Sequence, residues 1–87
     1  MYFVYILQSQ KDQGFYIGFT SNLEKRIKEH NAGKTRSLRQ RLPMKLIYHE
    51  QFQNSKDAKN REKQIKAFKG GNAFHKLIQS SPRLRRD

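Results

Sequence analysis

The chain has no cysteine. That excludes disulfides and thiolate metal sites together, and it fits an intracellular, cytoplasmic protein. Apolar residues are also scarce, at 34% of the sequence, and they fall in short blocks. No run approaches the roughly 18 apolar residues of a membrane span, so no membrane crossing is expected. The opening segment Met1-Tyr2-Phe3-Val4-Tyr5 lacks the basic region of a secretory signal and reads as the first strand of the fold. Acidic residues are the third shortage. Seven Asp and Glu face nineteen Lys and Arg, for a net charge of +12. Such a field attracts polyanions, and nucleic acid is the commonest intracellular one. No helix joins a strongly basic face to a broad apolar one, which weighs against a membrane-surface role. A ribosome- or RNA-associated basic protein is the alternative that needs only the charge.

What is present is organised. At 87 residues one domain is expected, with a modest core. Residues 2–8 alternate and are rich in aromatic and β-branched types, which predicts a strand. Ser9 to Gly14 reads as a turn, and residues 15–19 as a second strand, antiparallel because the connection is short. Thr20, Ser21 and Asn22 offer cap oxygens for a helix from Leu23 to about Asn31, with Gly33 as its stop. Residues 33–43 read as a basic loop with little to bury. A third strand is expected at about 45–52. Asn54 and Ser55 open a second helix over about 56–68, ended by Gly70 and Gly71, and a short helix follows at 72–79. The order ββαβαα predicts an α+β fold, a small three-stranded antiparallel sheet covered by two or three helices. Residues 1–79 form the expected domain, and 80–87 a basic, frayed tail.

Two helices carry polar residues on their packing faces. At 100° per residue, with Leu23 at zero, Ile27 falls at about 40°, Arg26 at about 300° and His30 at about 340°. His30 therefore lies inside the stripe that packs on the sheet. Glu24, Lys25, Lys28 and Glu29 cover the opposite side as solvated surface. On the second helix, with Ala58 at zero, Ile65 falls at about 340° and Glu62 at about 40°. A carboxylate at the edge of a core is costly unless paired or bound to a cation. Arg61 is a candidate partner, although adjacent helix positions do not face each other. Each feature has a plain structural reading: a satisfied core histidine, an arginine snorkelling to water, a surface salt bridge. Their coincidence with Tyr5 and Tyr16 on two adjacent strands points to a site.

Those residues together resemble the GIY-YIG endonuclease domain. Phe3-Val4-Tyr5 keeps the tyrosine of the family's first tripeptide, and Tyr16-Ile17-Gly18 matches the second in full. Arg26 with His30 resembles the arginine and histidine of the family's first helix. Glu62, within Arg61-Glu62-Lys63-Gln64-Ile65-Lys66, resembles its later glutamate. The likeness runs from Tyr2 to about Ile78. It is greatest to the small stand-alone bacterial proteins related to the excinuclease nuclease domain.

The resemblance implies a DNA endonuclease dependent on Mg²⁺, or another divalent cation such as Mn²⁺, linked to repair or recombination. Glu62 would hold the metal through a hard oxygen, with waters completing the shell. Arg26 would meet charge developing on the phosphate. Tyr5 or Tyr16 would orient or deprotonate the attacking water, with nearby positive charge favouring the ionised phenol. His30 would accept or relay the proton. Gly18 would leave the backbone open for the phosphate beside Tyr16. Lys34, Arg36, Arg39, Arg41 and Lys45, extended by Lys66 and Lys69, would bind the DNA backbone with little sequence preference. Nothing resembles a recognition helix, so the expectation is selectivity for DNA structure. A module that binds nucleic acid in the same fold with little activity alone is the alternative. A protein partner or homodimer is compatible with either reading.

Overall fold

The structure is a computed structural model and describes residues 1–79. The expected tail at 80–87 lies outside the described residues. Strands β1 (Tyr2–Ser9), β2 (Phe15–Thr20) and β3 (Met44–Phe52) form one antiparallel sheet in the order β2-β1-β3. Helix α1 (Leu23–Asn31) follows β2, while α2 (Ser55–Ala67) and α3 (Asn72–Gln79) follow β3. The α+β fold expected from the sequence is the one observed.

Central strand β1 separates two cores because its side chains alternate. Val4 and Ile6 join Tyr48, Ala58, Ile65 and Phe74 in the cluster under α2 and α3. Tyr5 and Leu7 join Leu38 and Met44, with Leu23, Ile27 and Tyr16 packed against them, in the cluster under α1. Between Ile6 and Leu7 the register against β3 shifts, from Ile6 opposite Tyr48 to Leu7 opposite Leu46. The extra residue, Ile47, forms a bulge that keeps Tyr48 and Leu46 in separate cores.

Local chemistry sets the helix ends. Asn22 caps α1 by accepting from the Lys25 N–H at 3.1 Å, and Asn54 caps α2 by accepting from the Asp57 N–H at 2.9 Å. Helix α1 stops where Gly33 takes φ of +82°. There the Lys34 N–H reaches the Glu29 carbonyl and the Gly33 N–H reaches the His30 carbonyl, both at 3.1 Å, a Schellman ending. Asn31 then pins this end to β3 through two hydrogen bonds with the backbone of Met44.

The segment expected to be a loop with little to bury differs. Arg36–Arg41 forms a 3-10 helix, and Leu38 is 1% exposed beneath it. A single leucine among basic residues has no period to reveal it, yet burying one such side chain stabilises by about 1.5–3 kcal/mol. Arg41 is held above the β1–β2 turn, donating to Asp12 at 2.9 Å. Its carbonyl accepts from buried Ser9 at 2.7 Å.

Candidate active site

Tyr5 is the centre of the polar cluster. It lies on the middle strand, 1% exposed, opposite Gly18 of edge strand β2. The Tyr5 ring crosses β2 at this point. A Cβ built on Gly18 would stand 2.6 Å from the Tyr5 hydroxyl oxygen and 2.8 Å from Cζ. Gly18 therefore makes room for Tyr5. That corrects the expected reason for the glycine, an opening for the phosphate beside Tyr16.

His30, fully buried on the last turn of α1, lies 2.9 Å from the Tyr5 hydroxyl through Nε2. Its Nδ1 lies 2.5 Å from Oγ1 of Thr35. Burial first, and then the charge of Arg26, hold the His30 pKa below its ordinary value, so the ring is neutral. A neutral imidazole donates through one nitrogen and accepts through the other. Thr35 was not singled out from the sequence. It lies five residues beyond His30, across a helix end, where periodicity carries no signal.

Tyr16 stands on the same face, with its ring 6.4 Å from that of Tyr5 and 5.1 Å from that of His30. Tyr5 and Tyr16 thus share one face. Unlike Tyr5, Tyr16 is only half-buried. Arg26 lies one turn before His30, with 40% of its side chain exposed, and pairs with Glu29 at 3.1 Å. Its guanidinium also faces the Tyr5 hydroxyl and favours the phenolate.

That influence does not prevail. Burial pushes the Tyr5 pKa up to about 12, and the fields of Tyr16 and Glu62 add to the rise. Arg26 favours the ionised phenol as expected, but at Tyr5 desolvation outweighs that one guanidinium.

Glu62 comes from the opposite layer, on α2. The Tyr5 hydroxyl lies over the outermost strand, so the field of that carboxylate reaches it. The Glu62 side chain is 19% exposed and pairs with Lys66 at 3.0 Å. Arg61 is not its partner. Arg61 turns to β3, where it forms a fork with Glu50 at 3.0 Å and donates to Gln64 at 2.7 Å. Tyr48 donates to the same Glu50 carboxylate.

The basic residues expected to hold DNA are divided. Lys34, Arg36 and Arg39 lie beyond the end of α1, where Arg39 donates to the Gly33 carbonyl at 2.6 Å. Arg41 is engaged by Asp12, and Lys66 by Glu62. Lys45 is exposed and opposes Gln8, on the sheet face away from Tyr5 and Leu7. Lys69 lies just beyond α2. Beside Arg26 an open cleft of about 480 Å³ is lined by Phe19, Thr20, Ser21, Asn22, Lys25 and Glu29.

Residues 1–72 match the model of the GIY-YIG catalytic domain, and the chain belongs to that family, a family of nucleases. Proteins similar to it include UPF0213 proteins. One from Clostridium perfringens is 51% identical over 67 residues, covering 76% of this chain and 71% of that protein. Another, from Staphylococcus haemolyticus, is 43% identical over 68 residues, covering 77% and 82%. A third, from Haloquadratum walsbyi, is 37% identical over 68 residues, covering 77% and 75%. The solution NMR structure of a UPF0213 protein from Bacillus halodurans is 29% identical, covers 93% of this chain and 99% of that one, and gives a TM-score of 0.47. No helix among the described residues is long and apolar enough to cross a membrane.

Proposed function

We propose that the chain is a divalent-cation-dependent endonuclease that hydrolyses phosphodiester bonds in DNA, selects substrates by structure, and serves repair or recombination. One observation carries this reading. The Tyr5 hydroxyl meets a buried histidine at 2.9 Å, faces Arg26, has the Tyr16 ring 6.4 Å from its own, and lies within the field of the Glu62 carboxylate. A dry core does not need such a set.

The donor chemistry fits a hydrated Mg²⁺ or Mn²⁺. Glu62 is a partly exposed carboxylate whose field already reaches Tyr5. No group of three or more His, Asp or Glu suited to a metal occurs among the described residues. Mg²⁺ tolerates this because it keeps several waters and borrows phosphate oxygens. Glu62 would hold the ion, with Lys66 moving off. When bound, the cation supplies Lewis-acid charge to the phosphate and the leaving oxygen.

The chain's own groups do the rest. Arg26, always cationic, binds the phosphate from the adjoining cleft and stabilises charge as the pentacoordinate state forms. Tyr5, with a pKa of about 12, keeps its proton and donates it in a hydrogen bond to Nε2 of His30. Nδ1–H of His30 then donates to Thr35, which fixes the tautomer. Tyr5 is thus a positioning group at neutral pH. The water-facing role falls to Tyr16, the less buried of the two.

Cleavage of nicked, branched and linear DNA with Mg²⁺ or Mn²⁺ tests the proposal. Glu62→Gln should abolish cleavage while DNA binding persists. Tyr16→Phe should lower kcat by about 10²–10⁴, the usual contribution of general acid–base catalysis. Equal cleavage by wild type and Glu62→Gln would overturn the mechanism. The Glu62–Lys66 pair and the single carboxylate favour one other reading, a module that binds DNA but cuts little alone. Tight binding without cleavage of any substrate would select it.

A further inference from the structure

The cleft beside Arg26 does not end there. A second depression, lined by Lys25, Lys28, Glu29, Ala32 and Lys34, shares Lys25 and Glu29 with it. Sharing these two residues, the depressions adjoin one another along α1. We infer that one strand of the DNA substrate lies in the track they form, its phosphates held by Lys25, Lys28 and Lys34, leading to Arg26. This rests on the reading of the Tyr5–Arg26 centre as the cleavage site. Lys25 and Lys28 looked like ordinary solvated surface in the sequence.

Several observations agree. Lys25 and Lys28 are three residues apart, so their side chains are neighbours on the helix surface. Ala32, four residues past Lys28, leaves the track open where a longer side chain would close it. Lys34 follows directly after the Gly33 turn. All three lysines are exposed, and none is in an ion pair among the described residues. The one acid lining the track, Glu29, is neutralised by Arg26 at 3.1 Å.

The dimensions also suit a nucleic acid strand. At 1.5 Å per residue the nine residues of α1 span about 14 Å, the axial length of about four phosphates at 3.4 Å per strand. Some other basic groups are less available. Arg39, Arg41 and Lys66 have partners within the chain. Lys56 and Lys59 lie on the exposed side of α2, in neither depression.

Salt dependence of DNA binding tests the track, using Glu62→Gln protein so that nothing is cut. Each lysine removed from a phosphate lowers the slope of log K against log salt by about 0.9 on duplex and about 0.7 on single strands. Lys25→Gln/Lys28→Gln should therefore lower it by about 1.8 on duplex or about 1.4 on single-stranded DNA, which also identifies the bound form. The control Lys56→Gln/Lys59→Gln should leave the slope unchanged. Glutamine keeps a similar helix propensity at these exposed sites, and a thermal melt checks that both variants fold. An unchanged slope in the α1 variant, an equal drop in the control, or no DNA binding by the parent would overturn the inference. If the slope falls as expected but wild type cuts no substrate, the track stands and the catalytic reading fails.

Discussion

The two faces of the sheet are built to different rules. Under α2 and α3 the core is apolar, with Val4, Ile6, Ala58, Ile65 and Phe74 each at most 1% exposed. Its polar groups run outward from Tyr48 to Glu50, Arg61 and Gln64, which satisfy one another. Under α1 the polar groups are inside. Tyr5 and His30 are as buried as the leucines around them, and each nitrogen of His30 has a partner. One face holds the sheet together. The other spends part of its burial on a hydrogen-bonded chain that a packed core does not require. Buried polar chains of this kind are tolerated when every member is satisfied.

The sharpest way to break the comparison is on the dry face. Phe74→Ala should destabilise by about 3–5 kcal/mol, read by urea denaturation, while the ring signals of His30 in the folded protein stay in place. Movement of those signals would mean that the two cores are coupled. A smaller effect is expected on the polar face. Gly18→Ala forces a Cβ against Tyr5 and should cost about 1–3 kcal/mol. Adding Tyr5→Phe should recover part of that loss, since the hydroxyl is the closest atom but Cζ is also near.

A milder probe is pH. Burial and Arg26 depress the pKa of His30 in the folded protein, below the 6.5 of the unfolded chain. As pH falls through 6.5 the unfolded state takes up the proton first, so stability declines from there down to the folded value and then levels off. The drop in denaturation midpoint from pH 7.5 to 5.5 should be smaller in His30→Gln than in wild type. An equal drop would show that His30 titrates normally. The smallest effect is expected at the rim between the faces. Lys66→Gln removes a partly exposed pair four residues apart and should change stability by about 0.3–0.5 kcal/mol. The same substitution should tighten Mg²⁺ binding, read by titration, because Glu62 loses its competitor.

Much of the polar face was legible in advance because helical and strand periods are local. His30 inside the α1 stripe follows from spacing alone, whereas Tyr5 and Tyr16 share a face only through the register that pairs Tyr5 with Gly18. The second helix was subtler. The angle of Glu62 correctly implied partial burial, but the same arithmetic could not say that α2 covers the other face of the sheet from α1. Leu38 and Thr35 lay in a segment without any period, so neither the buried leucine nor the partner of His30 was visible. Arg61 and Arg41 found acids eleven and twenty-nine residues away, distances over which sequence order says nothing about contact.

By itself the sequence determined the strands, the capped helices, the excess of positive charge, and which residues are of the types that handle a phosphate. Those properties are written in composition and in contacts within a turn of helix or a step of strand. Only the tertiary structure decided what those residues do to one another. The register that sets Tyr5 over Gly18 buries the phenol and raises its pKa, and the field of Glu62 reaches it from the second layer. Desolvation and long-range fields depend on the whole surrounding volume, so they exist only once the two layers have closed on the sheet.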